Sequence, residues 1–208
     1  MNNSPDNECG TLFTIGHSNH SLDDFIKLLM DNNVQVLVDV RSYPRSKFAS
    51  QFDSALLKRA VTGKGIKYMY FGSELGGKPN DPAFYDEEGH VLYNLVAQSP
   101  AFLKNIKRLV SGVEKRHTIA LMCSEEDPEY CHRRLLIGRA LAQYRIAELH
   151  IRGNGQIQTE DELSRVSSGK NNRQQLSMFA ERKEENWRSA KSIRSALQNG
   201  EPKNSSKP

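Results

Sequence analysis

Val34-Gln35-Val36-Leu37-Val38-Asp39-Val40 is a β-branched run that reads as a buried strand. An earlier apolar run, Thr11-Leu12-Phe13-Thr14-Ile15-Gly16, reads as another. Between them Leu22, Phe25, Ile26 and Leu29 recur at helical spacing, opened by Ser21 as an N-cap with Asp23 and Asp24 in the first turn. Strand, helix and strand in so short a space favour a right-handed parallel crossover. Parallel sheets need helices on both faces, so this unit predicts an α/β fold.

The rest of the chain continues the alternation. A helix is expected over residues 53–62, a strand over 66–71, and a long Gly- and Pro-containing loop over 72–90 of the kind that often forms a lid or binding loop. A helix or helix pair follows over 91–115, with Ser99 capping and Pro100 at the first helical position. Residues 117–123 read as a fourth strand, the segment to about 143 as a helix, and 147–151 as a fifth strand stopped by Gly153-Asn154-Gly155. The expectation is a largely parallel central sheet of about five strands flanked by helices, occupying residues 11–155. Residues 1–10 are expected to be disordered, and 156–208 to form a polar C-terminal extension.

Composition narrows the setting. No run approaches the roughly 20 apolar residues of a membrane span, and the polar first ten residues lack the apolar region of a signal peptide. Three cysteines in a chain of 208 residues predict free thiols and a cytoplasmic protein. The net charge of +4 is compatible with an anionic partner without requiring one.

In a parallel sheet the strand ends share one edge, and ligands bind there. His17 follows the first strand, Asp39 and Arg41 end the second, Gly76 and Gly77 follow the third, Cys123 and Glu125 end the fourth, and His150 lies near the end of the fifth. His17, Asp39, Glu125, Cys131 and His132 are the catalytic candidates. Arg41, Arg45, Gly76, Gly77, Arg133 and His150 are the phosphate- or substrate-binding candidates, since guanidinium forks suit phosphate. Asp39 and Arg41 equally suit a structural ion pair. Cys131 opens a helix, where the dipole favours a thiolate, so it is the better nucleophile; Cys123 at a strand end reads as a small hydrophobe. Cys123, Cys131, His132 and His17 are metal-ligand types, but Cys-x7-Cys-His is not a short ligand spacing, and no metal or other cofactor is expected. No phosphate-binding Walker loop or dinucleotide fingerprint is present.

Thr14-Ile15-Gly16-His17-Ser18, Asp39-Val40-Arg41-Ser42-x-Pro44-x-Ser46, Leu75-Gly76-Gly77 and Met122-Cys123-x-Glu125-x3-Glu129-x-Cys131-His132-Arg133 together resemble the bacterial and archaeal domain-of-unknown-function 488 family. The resemblance runs from about Thr11 to Gly155 and implies a cytosolic single-domain α/β protein; it implies no reaction. In the extension, Gln174 to Phe179 resembles a sliding-clamp-binding peptide, with Gln175, Leu176, Met178 and Phe179 as the docking residues; Met178 stands where Leu is usual. Residues 181–198 are expected to form a charged helix with Trp187 and Ala190 on a narrow apolar face.

Two classes of function compete on these residues. One is an enzyme acting on nucleic acid or a nucleotide, such as a DNA-repair enzyme cleaving a bond at a damaged nucleotide, recruited through the clamp-like peptide. The other is a cysteine-dependent sulfurtransferase-like or redox enzyme; a non-enzymatic nucleotide-binding or adaptor module is a third possibility.

Overall fold

The computed structural model describes residues 10–45, 48–171 and 187–193. Five parallel strands form the centre: β1 (Leu12–Gly16), β2 (Val36–Asp39), β3 (Lys67–Tyr70), β4 (Ile119–Cys123) and β5 (Glu148–Ile151). A sixth, β6 (Ile157–Thr159), pairs antiparallel with β5, giving the order β3-β2-β4-β1-β5-β6. The α/β fold and its mostly parallel sheet therefore stand as expected, with one more strand. Gly155, at φ +84, closes the β5–β6 turn and donates its N–H to the Arg152 carbonyl at 2.9 Å.

Strand alternation separates two apolar layers. Phe13, Ile15, Leu37, Ala120 and Met122 pack with α1 (Leu22–Asp31) and α2 (Ser54–Thr62), which contribute Phe25, Leu29, Leu57 and Val61. Ser21 caps α1 as its sequence predicts, its hydroxyl accepting from the Asp24 N–H at 3.1 Å. Leu12, Val36, Val38, Leu121 and Cys123 face the other way. They pack with α4 (Tyr93–Gln98), α5 (Pro100–Glu114) and the helix after β4. β4 sits between β1 and β2, and the connections leaving β1 and β4 go to opposite faces of the sheet. Their carboxyl ends thus flank a switch in winding direction, the place where open α/β sheets hold ligands.

Three boundaries differ from the sequence reading. The 72–90 loop contains a short helix, α3 (Gly72–Leu75), and a 3-10 turn at Pro82–Phe84, with Tyr85 bridged to Val91. β6 and α7 (Glu160–Asn171) extend the sheet unit past residue 155, and Leu163 of α7 is buried. Short, half-exposed β6 has too little apolar alternation to stand out, and pairing with β5 decides it. Trp187 to Ser192 is not helical: Arg188 bridges to Leu92, the Ser189 N–H donates to the Val91 carbonyl, and the Val91 N–H donates to Ser189 Oγ. Helical spacing in a charged segment is overridden there by a docking edge. The remainder of the expected 181–198 helix, and the clamp-like peptide at 174–179, lie outside the described residues.

Candidate functional site: a cysteine–histidine cluster under a basic pocket

β4 ends on Cys123, whose alternation directs it to the layer containing the following helix. The chain loops out through Ser124 to Tyr130 and returns at Cys131 and His132, where a π-helical stretch (Arg133–Gly138) begins and runs into α6 (Arg139–Ala142). π-Helical turns are rare and concentrate at functional sites. The return sets both sulfurs around one imidazole nitrogen: His132 Nδ1 lies 3.8 Å from Cys123 Sγ and 3.7 Å from Cys131 Sγ. The other nitrogen, Nε2, lies 3.0 Å from the Val40 carbonyl at the end of β2. A carbonyl only accepts, so Nε2 carries the hydrogen, and in the neutral ring the Nδ1 lone pair faces the sulfurs.

The two thiols are not equivalent. Cys123 lines a cavity of about 480 Å3, while Cys131 is completely buried behind it. The sequence ranking took Cys131 as the better nucleophile because it opens a helix; the same helix start buries it, and Cys123 is the thiol at the cavity. A hydrogen bond from Cys131 and the facing His132 hold the Cys123 thiol well below its ordinary pKa despite burial. Burial, together with its bond to Cys123, pushes the Cys131 thiol up. Burial opposes charge on His132, but the Cys123 sulfur outweighs it and raises the imidazole pKa.

Glycines let the surrounding loops close on this cluster. A Cβ on Gly77 would fall 2.8 Å from His132 Cγ and Nδ1, so only a bare backbone lies flat on that ring. Gly76 is packed as tightly against Ser42, and neither glycine needs an anion to explain it.

Of the other candidates, Glu125 and Arg41 reach the cavity; His17, Asp39, Arg45, Arg133 and His150 do not line it. Asp39 is fully buried and holds Arg41 by two oxygens, at 2.9 Å from Nε and 2.6 Å from Nη2, while Tyr68 donates its hydroxyl to Asp39 at 2.8 Å. Arg41 Nη1 is 3.2 Å from His17 Nε2, and His17 Nδ1 is 2.9 Å from the Ser18 carbonyl. Arginine only donates, so His17 is the neutral tautomer with its hydrogen on Nδ1. Burial, followed by Arg41, lowers its pKa. His17 and Asp39 thus brace Arg41 from behind.

Arg133 was expected at a phosphate. It is instead almost entirely buried, donating to the Glu125 and Glu126 carbonyls, to Thr14 Oγ1 and to Cys131 Sγ. It ties down the loop that carries Glu125. His150 also lies elsewhere, with Thr14 Oγ1 at 2.8 Å and Glu160 at 3.3 Å, since it sits within β5 rather than beyond its end. Arg45 is exposed.

What the sequence reading missed comes from two loops and the extension. Lys78 lines the cavity, and exposed Tyr43 and Tyr130 flank its mouth. The segment Ser189–Ile193 lies across it, bringing Lys191 Nζ to 2.8 Å from Glu125 Oε1. The segment is anchored by Trp187, whose Nε1 donates to the Leu135 carbonyl at 2.7 Å with Arg139 stacked on its ring. No spacing rule places Lys191 beside Glu125, but an apolar Trp in a charged tail was a signal of docking.

A family description, "Domain of unknown function DUF488", matches residues 21–140. The chain belongs to this family. Its match takes in Asp39, Arg41, Gly77, Cys123 and the Cys131-His132 pair, so most of the DUF488 site falls inside it. Lys191 and β5 fall outside. No curated protein and no solved structure matches the chain. Among the described residues of this DUF488 protein, no helix is long and apolar enough to cross a membrane.

Proposed function

We propose that this DUF488 protein is a cysteine-dependent enzyme whose substrate is a nucleotide, free or presented by a nucleic-acid strand. The observation that carries this reading is Cys123 Sγ on the floor of a 480 Å3 cavity, 3.8 Å from His132 Nδ1, below a mouth that combines tyrosines with cations. That volume suits a small ligand. Tyr43 and Tyr130 offer flat faces on which a base stacks, and Lys78 and Lys191 offer charge to a phosphate. Glu125 is the carboxylate at the mouth and takes the general acid–base role once a phosphate draws Lys191 away from it. Bond cleavage at a modified or damaged nucleotide is the reaction class that fits these groups.

The phosphate-binding part rests on lysines rather than on the arginines expected from the sequence. Recruitment to DNA through Gln175, Leu176, Met178 and Phe179 is a separate part of the proposal, tested by titrating the full chain with a sliding clamp. Binding that survives Leu176→Ala with Phe179→Ala removes it.

The central reading is tested with the full chain, 5′-mononucleotides and short single-stranded oligonucleotides, following binding by calorimetry and turnover by chromatography. Binding is expected to weaken about tenfold in Lys191→Ala or Tyr130→Ala. Cys123→Ala is expected to keep binding and lose turnover. Failure of both ligand classes to bind, or full turnover by Cys123→Ala, overturns the proposal.

A further inference from the structure

Cys123 Sγ, Cys131 Sγ and His132 Nδ1 all lie within 4.8 Å of one another. Chain spacing alone argued against a metal here, because seven residues separate the cysteines. The fold removes that objection: the loop over residues 124–130 leaves the cluster and comes back, so the donors meet although the spacing matches no short motif.

The separations are those that an ion would impose. A tetrahedral zinc ion, with Zn–S of about 2.3 Å and Zn–N of about 2.0–2.1 Å, holds a sulfur and a nitrogen about 3.6 Å apart. The two sulfur–nitrogen separations here are 3.8 and 3.7 Å. Both exceed what a strong S–H···N hydrogen bond needs, and they are nearly equal, which one imidazole shared by two thiols gains nothing from. The surroundings have the form of an outer ligand shell. The Val40 carbonyl holds the His132 hydrogen on Nε2 and leaves Nδ1 as the donor atom, and Arg133 Nη1 donates to Cys131 Sγ at 3.4 Å, supporting a thiolate there.

We infer that Cys123, Cys131 and His132 form a three-ligand site for a zinc-class divalent ion, with its fourth position open to the cavity. Two thiolates and an imidazole select a borderline-soft ion over magnesium or calcium. Three protein ligands rather than four mark a catalytic site rather than a structural one. Cys131 closes the inner side, and Cys123 and His132 are the ligands at the cavity wall, so a water or a substrate oxygen completes the tetrahedron from the side of Glu125 and Lys191. The inference deepens the proposed function and rests on it for the role of the open position: the ion lowers the pKa of a bound water, and the Cys123 sulfur serves as ligand rather than nucleophile.

The test uses the purified full chain, reduced and stripped of metal by a chelator, titrated with Co2+ and then with Zn2+. One equivalent of cobalt is expected to give thiolate-to-metal charge-transfer absorption with the visible bands of a tetrahedral ion, and zinc is expected to bleach them. Cys123→Ser and Cys131→Ser should each lose the charge-transfer intensity of one thiolate and weaken binding on the order of 100-fold. Lys191→Ala should leave the spectrum unchanged. Circular dichroism of each variant keeps a folding defect apart from a lost ligand, and Cys123→Ser, at the cavity wall, is the variant expected to stay folded. Absence of tetrahedral cobalt bands in folded wild-type protein overturns the inference, as do bands that persist unchanged in folded Cys123→Ser. If no metal binds while Cys123→Ala still abolishes nucleotide turnover, the inference fails and the proposed function stands. If metal binds but no nucleotide does, the metal site stands and the proposed function fails.

Discussion

The imidazole of His132 donates from Nε2 to the carbonyl of Val40 at 3.0 Å, a contact between residues 92 positions apart. Through it, the end of β2 decides which nitrogen of His132 faces the two sulfurs at the end of β4. The Gly77 backbone presses on the same ring from the opposite loop. Gly77→Ala, which would place a methyl 2.8 Å from the ring, is expected to tilt the imidazole and cost about 1–3 kcal/mol of stability. Its cobalt spectrum should shift or vanish while Lys191→Ala keeps the wild-type one. Matched spectra for Gly77→Ala and wild type would show that the ring is not held in this way.

The Asp39–Arg41 pair is buried and bidentate, so removing one partner strands the other. Asp39→Ala is expected to destabilise the fold by about 3–5 kcal/mol, read from urea denaturation. Tyr68→Phe removes one hydrogen bond to the same carboxylate and should cost only about 1 kcal/mol. Equal costs for the two substitutions would argue against a buried charge at Asp39.

Glu148 on β5 is buried, with Oε1 lacking a hydrogen-bond partner among the described residues, and burial raises its pKa from 4.5 to about 8. The folded value lies above the ordinary one, so the stability tied to its proton is complete below pH 4.5 and is lost as pH climbs through about 8. Glu148→Gln is therefore expected to be more stable than wild type at alkaline pH, on the order of 1–3 kcal/mol, and to lose that advantage under acidic conditions. Denaturation midpoints that differ equally at both extremes would contradict this.

Glu160 behaves in the opposite sense. Its hydrogen bonds with His150 and Arg134 overcome burial and depress its pKa to about 2. Its contribution is present above pH 4.5 and disappears as pH falls toward about 2. Thermal melts across that range should show wild type losing stability more steeply than Glu160→Gln. Parallel curves would mean that the Arg134 and His150 contacts do not hold the charge.

Lys191 and Trp187 separate charge from anchoring. The Lys191–Glu125 pair is exposed, so Lys191→Ala should change stability by less than about 1 kcal/mol while weakening nucleotide binding. Trp187→Ala removes the ring and its bond to Leu135, and should cost about 2–3 kcal/mol as well as weaken binding. A Trp187→Ala variant that binds normally would mean that the segment over the cavity does not need its anchor.

The local code of this chain was strong where a residue's role depends on its neighbours in sequence. Ser21, Ser99 with Pro100, and the Val34 to Val40 run declare a cap, a helix start and a buried strand through short-range hydrogen bonding and side-chain shape. The parallel sheet that this pattern implies puts His17, Arg41, Gly77 and Cys123 at one edge. β6 and the docked course of residues 187–193 were not legible in the same way, because both depend on an exposed edge that only the assembled structure provides.

By itself the sequence determined the α/β fold, the family, and the edge at which Cys123, Cys131 and His132 meet. Only the tertiary structure decided that Arg133 is buried under the Glu125 loop, that Cys123 rather than Cys131 faces the cavity, and that Lys191 reaches across to Glu125. The reason is physical: periodicity and capping act over a few residues, whereas burial, tautomer and ion pairing are set by atoms brought from β2, β4 and the chain's far end. Cysteines separated by seven residues became neighbours of one imidazole nitrogen because the sheet fixed both ends of the loop between them.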